Sequence, residues 1–441
     1  MYKKYSLAVL LTASAAIGAK APPPTATFSK DVLPIFQKNR QCHRPGQAGP
    51  MSFVTYESTR HWEKAMKEAV VLRKTPPWFA DRSVGRFVND PSLKQADIDT
   101  VARRADAGAL QGDPKDAPRP VQWPEGWHIQ PDLVITVPTI EIPAHPKNNV
   151  VEWITVMIPT GFTKDTWITS VEIKPEYPEV AHHMCLGFNP HAPDVRYFAP
   201  VSKDKPRDGE GAALPDKGPT FTQGGGGRRD IRVGRLLRPG NVVADYRPMN
   251  TAMLVPAGSD IAMNLHYTPN GKTLTDHIKI GLTIAKEPPM RRYVSLRTSS
   301  PQAPKQFAIP PNDPDWASPP GEATFNQDAE LVFMEPHMHA RGKDMKYTLE
   351  YPDGLKEVIL NVPRYDFNWQ LGYKTSAHAP KGTKLVVEAH FDNSANNPAN
   401  PNPNRTVYYG EMTWEEMMLG FFGVVVDQNV DPKTILTTQA H

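Results

Sequence analysis

The apolar positions of this chain change period along its length. From Phe28 to Ala109 they recur at helical spacing. A first helix is predicted from Ser29, a capping residue, through Asn39. A second carries Trp62, Ala65, Met66, Ala69 and Val70 on one face until Pro76-Pro77 stop it. A third is marked by Leu93, Ile98, Val101 and Ala105. The stretch Gln111–Trp127 is Pro-rich and reads as a linker. Beyond it the apolar runs are short, alternating or continuous, with Pro, Gly and Asn between them, the pattern of strands. A second loop-rich stretch, Ser299–Glu322, divides this region. The expected fold is mainly β: two consecutive β-sandwich (jelly-roll-like) domains over 131–290 and 291–435, preceded by a small all-α unit over 27–112 and a linker over 113–130. The run Gln223–Arg229, QGGGGRR, reads as a flexible loop; it lacks the Lys-Ser/Thr ending of a phosphate cradle.

Composition adds an address and removes a partner class. Residues 1–21 resemble a secretory signal peptide: a basic start, an apolar run from Ser6 to Ala19, and small residues at Ala19–Ala21. That run falls short of the roughly 20 residues that span a bilayer. The expectation is a cleaved signal, a periplasmic or secreted protein and no membrane span afterwards; an uncleaved anchor is the alternative. The formal charge of +3 includes Lys3, Lys4 and Lys20. Without them the charges balance, and no basic patch is interleaved with aromatics, so no nucleic-acid partner is expected. Two cysteines, Cys42 and Cys185, fall in different predicted domains and are not expected to pair.

The histidines carry the candidate chemistry. His337 and His339 form an H-x-H pair; in a strand, positions i and i+2 share a face and can converge on one ion. His182 and His183 are adjacent and would face opposite ways in a regular strand. They can share a metal at a bulge or a strand end, with His266 completing a triad. Imidazole clusters suit Zn, Cu, Ni or Fe.

Two such groups, one per β unit, resemble the copper type II, ascorbate-dependent monooxygenases, the family of the peptidylglycine and dopamine hydroxylases. The resemblance covers about Pro131 to Val430. It rests on His182-His183 in VAHHMC, His266 in NLHYTPNG, His337 and His339 in PHMHARG, Met417 in WEEMMLGFF, and the stretches YDFNWQ and HFDNSANNP. It implies two β-sandwich domains and two copper ions. His182, His183 and His266 would hold the copper that supplies an electron. His337, His339 and Met417 would hold the catalytic copper that activates O2 across an interdomain cleft. Met418 competes with Met417, because neighbours in a strand face opposite ways. A soft thioether favours Cu(I), and three protein ligands leave a position open. The implied reaction is hydroxylation of a C–H bond in a small organic substrate with O2 and ascorbate or a similar donor. The peptide-amidating members have an Arg two residues before the H-x-H pair and a Tyr four after the Met. Here those positions are Glu335 and Phe421, which argues against a peptide carboxylate as anchor.

The front unit resembles the cytochrome c-like domain fused ahead of this pair in some environmental bacteria. Cys42-His43 would be the cofactor-binding tail of C-x-x-C-H. Asn39 stands where the first Cys belongs, and Thr75 stands where a Met commonly precedes Pro-Pro-Trp. Haem c through Cys42 and His43 is therefore possible, but a degenerate site without haem is the expectation. The competing functions are an exported cytochrome c-type electron carrier and a non-catalytic copper-binding module.

Overall fold

The computed structural model describes residues 25–39, 43–44, 49, 51–122, 126–145, 151–193, 195–202, 231–237, 242–410 and 412–438. The leader, Cys42 and the Gly-rich run Gln223–Arg229 lie outside the described residues. The chain is mainly β, with its helices concentrated before residue 110.

The helical unit departs from its predicted detail in two places. The first helical stretch is a π-turn over Phe28–Val32 that continues as an α-helix over Leu33–Asn39. Its cap is Thr27, not Ser29, which is buried: both Thr27 N–H and Thr27 Oγ1 donate to Asp31 Oδ2, at 2.7 and 3.1 Å. The second stretch is broken into Tyr56–Thr59, a 3₁₀ turn over Arg60–Trp62, and an α-helix over Glu63–Val71. Tightening to three residues per turn changes the angular phase. Trp62 is thereby left 43% exposed, and Met66 and Val70 alone of the predicted face are buried. The third helix, Gln95–Asp106, buries Ile98 and Val101 as its period requires. Phe28, Val32, Phe36 and Phe53 complete this small core.

The β body has two apolar cores. One is built mainly from residues between Val137 and Tyr293, the other mainly from residues between Val294 and Ile435. The two units share a sheet as well as following each other in sequence. A nine-stranded sheet runs through Leu133–Thr136, Lys279–Ile284, Thr166–Lys174, Thr251–Val255, Arg291–Ser299, Leu419–Asp427, Ala329–His337 and Tyr373–Ala379, with Val243–Asp245 paired to Thr166–Lys174. The join is a short parallel pairing of Arg291 and Arg292 with Thr251 and Ala252. Phe422, Val424 and Val426 face the second core, whereas Val425 faces the first. That strand is covered on both sides, so its sequence GFFGVVV is continuously apolar.

Each core is closed by its own second sheet. The first has the order Val201–Ser202, Val151–Pro159, Asp260–Tyr267, Ala181–Asn189, Ile231–Leu237. The second has the order Lys356–Val362, Gly342–Glu350, Lys384–Phe391, Gly321–Phe325, Leu436–Thr438, with Trp316–Ala317 added beside Lys384–Phe391. Among the described residues no helix is long and apolar enough to cross a membrane.

Candidate metal centre

His182, His183 and His266 come together at the end of the antiparallel pair Ala181–Asn189 and Asp260–Tyr267. Pairing is regular from Asp260–Asn189 as far as His266–His183. The next pair is Tyr267–Ala181, so His182 is the extra residue of a bulge. This is the irregularity that adjacent histidines need if both are to serve one centre. On the same strand Met184, Leu186 and Phe188 enter the apolar core. Their alternation places His183, with Cys185 and Gly187, on the opposite face.

The three rings are close and mostly covered. His183 is 4% exposed and His266 2%, with His182 half-buried. Ring centroids are 4.9 Å apart for His182–His183, 5.2 Å for His182–His266 and 4.7 Å for His183–His266. One nitrogen from each ring lies within 4.8 Å of those of the others. His182 Nδ1 and His183 Nδ1 are 2.9 Å apart. Metal–imidazole bonds of about 2.0–2.1 Å in a tetrahedral site separate ligand nitrogens by roughly 3.3 Å. The donor set therefore fits one transition-metal ion with small ring movements.

His337 and His339 lie where Ala329–His337 leaves the shared sheet. Both are buried, with ring centroids 5.2 Å apart. Each ring is oriented from behind. His337 Nδ1–H donates to Gln370 Oε1 at 2.7 Å, and His339 Nδ1–H donates to the Glu415 carbonyl at 2.9 Å. Neither oxygen can donate, so with these partners both rings carry their proton on Nδ1, and the lone pair belongs to Nε2. This outer hydrogen bonding is characteristic of metal-binding histidines.

Met417 is on the adjoining segment. His337 pairs with Leu419, and Met417 lies two residues before that paired position. The Glu416 carboxylate ties the segments together. It accepts from His339 N–H at 2.8 Å, from Arg341 N–H at 2.6 Å and from the Met417 backbone. Complete burial pushes its pKa up to about 7, against the pull of Arg341 and these backbone donors. Arg341, 1% exposed, is held by Asn393 Oδ1 at 2.8 Å and the Trp414 carbonyl at 2.9 Å. Met417 is 9% exposed at the margin of the core, whereas Met418 is fully enclosed in it.

The loop YDFNWQ braces the second cluster and touches the first. Tyr365 Oη donates to the Met338 carbonyl at 2.8 Å and accepts from Met338 N–H at 3.2 Å, clamping the residue between the two histidines. Gln370 orients His337. Phe367 adjoins both clusters, its ring centroid 6.2 Å from His182 and 6.1 Å from His339. A small cavity of about 10 Å³ beside this loop is lined by Phe79, Pro336, Tyr365, Gln370 and Tyr373 among others. Glu335 is buried and pairs with Phe421, whose ring centroid is 6.2 Å from that of His337.

Histidine pairing alone points to five of these residues. Arg341, Tyr365, Phe367, Gln370 and Glu416 escape it, because their roles depend on folding. In the helical unit, His43 Nδ1–H donates to the Met51 carbonyl at 3.2 Å, and its ring stacks on Phe53 at 4.4 Å. Burial lowers the His43 pKa, partly offset by that hydrogen bond. Asp315, Asp344 and His390 form a further group of possible ligands, but Lys343 Nζ already lies 2.8 Å from the exposed Asp315.

No protein-family description matches the chain, and no curated protein matches it. Solved structures with some likeness include that of infectious bursal disease virus, Gx strain: 8% identity, 72% of this chain and 77% of that one covered, TM-score 0.20. Another is Sulfolobus turreted icosahedral virus: 10% identity, 61% and 90% covered, TM-score 0.17. At such scores the likeness carries no argument about this protein.

Proposed function

We propose that this chain is a two-copper monooxygenase that hydroxylates a C–H bond of a small organic substrate, using O2 and a one-electron donor such as ascorbate. The observation that supports the reading is that two histidine clusters, drawn from both β units, each lay one ring beside that of Phe367. Copper, when bound, supplies one-electron redox chemistry at each cluster, and the reaction RH + O2 + 2e⁻ + 2H⁺ → ROH + H2O needs two electrons.

The residues divide the work. His182, His183 and His266 present an all-nitrogen set for the electron-supplying centre. His337 and His339, locked as Nδ1–H tautomers, present two Nε2 donors to the catalytic centre, where Met417 adds a soft thioether. Phe367 lays its ring beside one histidine of each cluster. Glu335 and Phe421 beside His337 favour an apolar or cationic substrate over a carboxylate. The body fits two jelly-roll-like domains fused along one sheet, and the helical unit fits a cytochrome c-like fold with a degenerate haem site. The His43 Nε2 edge could still meet a haem iron, but Thr75 offers no customary sixth ligand. The leader favours a periplasmic or secreted enzyme.

Oxygen uptake by the copper-loaded protein with ascorbate, across a panel of small C–H substrates, tests the function. Substrate-dependent uptake with one hydroxylated product per O2 is expected. Uptake at background across the panel would favour a non-catalytic copper-binding module.

A further inference from the structure

Residues 78–89 of the helical unit pack against the second β unit on both flanks of the YDFNWQ loop. Ala80 is buried in the core of the second β unit, where Trp78, Phe79 and Phe87 also pack. Trp78 and Phe87 grip Tyr373, with ring centroids 4.8 and 5.5 Å from it. Backbone bonds then fix both ends of the YDFNWQ loop. Before the loop, Asp81 N–H donates to the Asn361 carbonyl at 2.8 Å. After it, the Asn89 side chain donates to the Gly372 carbonyl and accepts from Lys374 N–H, both at 2.8 Å. Val88 N–H donates to the Lys374 carbonyl at 3.0 Å, and Thr375 Oγ1 to the Arg86 carbonyl at 2.9 Å.

The segment thus extends the exposed edge of the shared sheet, since Tyr373–Ala379 is its last strand. Close approach is built in at Gly85. Its φ is +71°, and a Cβ there would lie 2.5 Å from the Ile359 carbonyl oxygen. Phe79 completes the contact from behind, sharing the small cavity with Gln370 and Pro336, the neighbour of His337.

We propose that residues 78–89 are a clamp that sets the YDFNWQ loop and, through Gln370, the orientation of His337. The helical unit then has a positioning function in the second centre that requires no haem. The ligand role of His337 in this statement rests on the two-copper reading, whereas the clamp itself rests on the contacts above. Phe79, Gly85 and Asn89 are positioning residues.

The test uses the full-length protein with Gly85→Ala and Asn89→Ala. The first blocks the approach; the second deletes two hydrogen bonds and keeps the test decisive if the first fails to fold. In metal-free protein, ¹⁵N-histidine NMR reads the His337 ring, assigned by its absence in His337→Gln. Wild type is expected as the Nδ1–H tautomer, and the variants as a mixture. In copper competition titrations the second cluster should weaken by about tenfold, as for loss of an outer-shell partner. The first should stay within about twofold. Amide exchange at Val88 and Lys374 reports release of the clamp. Release with an unchanged His337 ring, or equal weakening of both clusters, would overturn the proposal. If wild type bound no copper, the two-copper reading would fail, and the ring spectrum would still decide the clamp.

Discussion

Tyr365→Phe removes one oxygen and leaves the ring in place. That oxygen makes two hydrogen bonds to Met338, one to its carbonyl at 2.8 Å and one from its N–H at 3.2 Å. Met338 is fully buried and lies just beyond the last paired residue of its strand, so the phenol takes the place of a neighbouring strand. Stranding a buried polar group costs about 1–3 kcal/mol. Two such groups, partly relieved by relaxation, give a loss of about 2–4 kcal/mol. For a unit of this size each kcal/mol lowers the melting temperature by roughly 2–4 °C. Calorimetry of the metal-free variant should therefore show the second β unit melting roughly 5–15 °C lower. The same change frees the peptide between His337 and His339, so copper affinity at that cluster should fall about tenfold while the first cluster holds. A variant that melts within about 1 °C of wild type, with both affinities unchanged, would refute the role given to this hydroxyl.

Other predictions separate neighbouring residues. Met417→Ala should abolish substrate hydroxylation and leave copper at the first cluster, read by metal analysis and oxygen uptake. Met418→Ala should instead cost about 2–5 kcal/mol of stability, as for other large core truncations, and keep both coppers. Gly342→Ala would place a Cβ 2.6 Å from Met338 Cβ and 2.8 Å from Tyr365, so thermal melting should reveal a loss of about 1–3 kcal/mol. Burial raises the Asp276 pKa, outweighing hydrogen bonds from Tyr267 and the Glu176 backbone. A raised carboxyl pKa means the folded chain binds the extra proton, so this contribution is full below the unfolded value and fades as pH rises through the folded one. Asp276→Asn should remove that slope from a pH series of urea unfolding curves.

The parts of this site that can be read along the chain are those with local signatures. Adjacent His182-His183 demand a bulge if they are to cooperate, and the register supplies it at that point. The H-x-H pair is legible from strand period, although the strand ends at His337 and Tyr365 holds the residue that follows it. Arg341 and Glu416 lie 75 residues apart and meet through backbone as well as side chain, a relation no local pattern encodes. The parallel join of Arg291–Arg292 to Thr251–Ala252 is equally silent, since two residues of pairing leave no periodicity. Trp62 misleads for another reason: its spacing is helical, but a 3₁₀ turn rotates it into solvent. No period marks the clamp of residues 78–89, because its bonds are made to another part of the chain.

Copper counting on wild type, His266→Ala and His337→Ala tests the central claim most directly, with electron paramagnetic resonance to distinguish the sites. The account predicts two ions per chain in wild type and one in each variant, the surviving signal differing between them. One ion or none in wild type, or two retained in both variants, would contradict it.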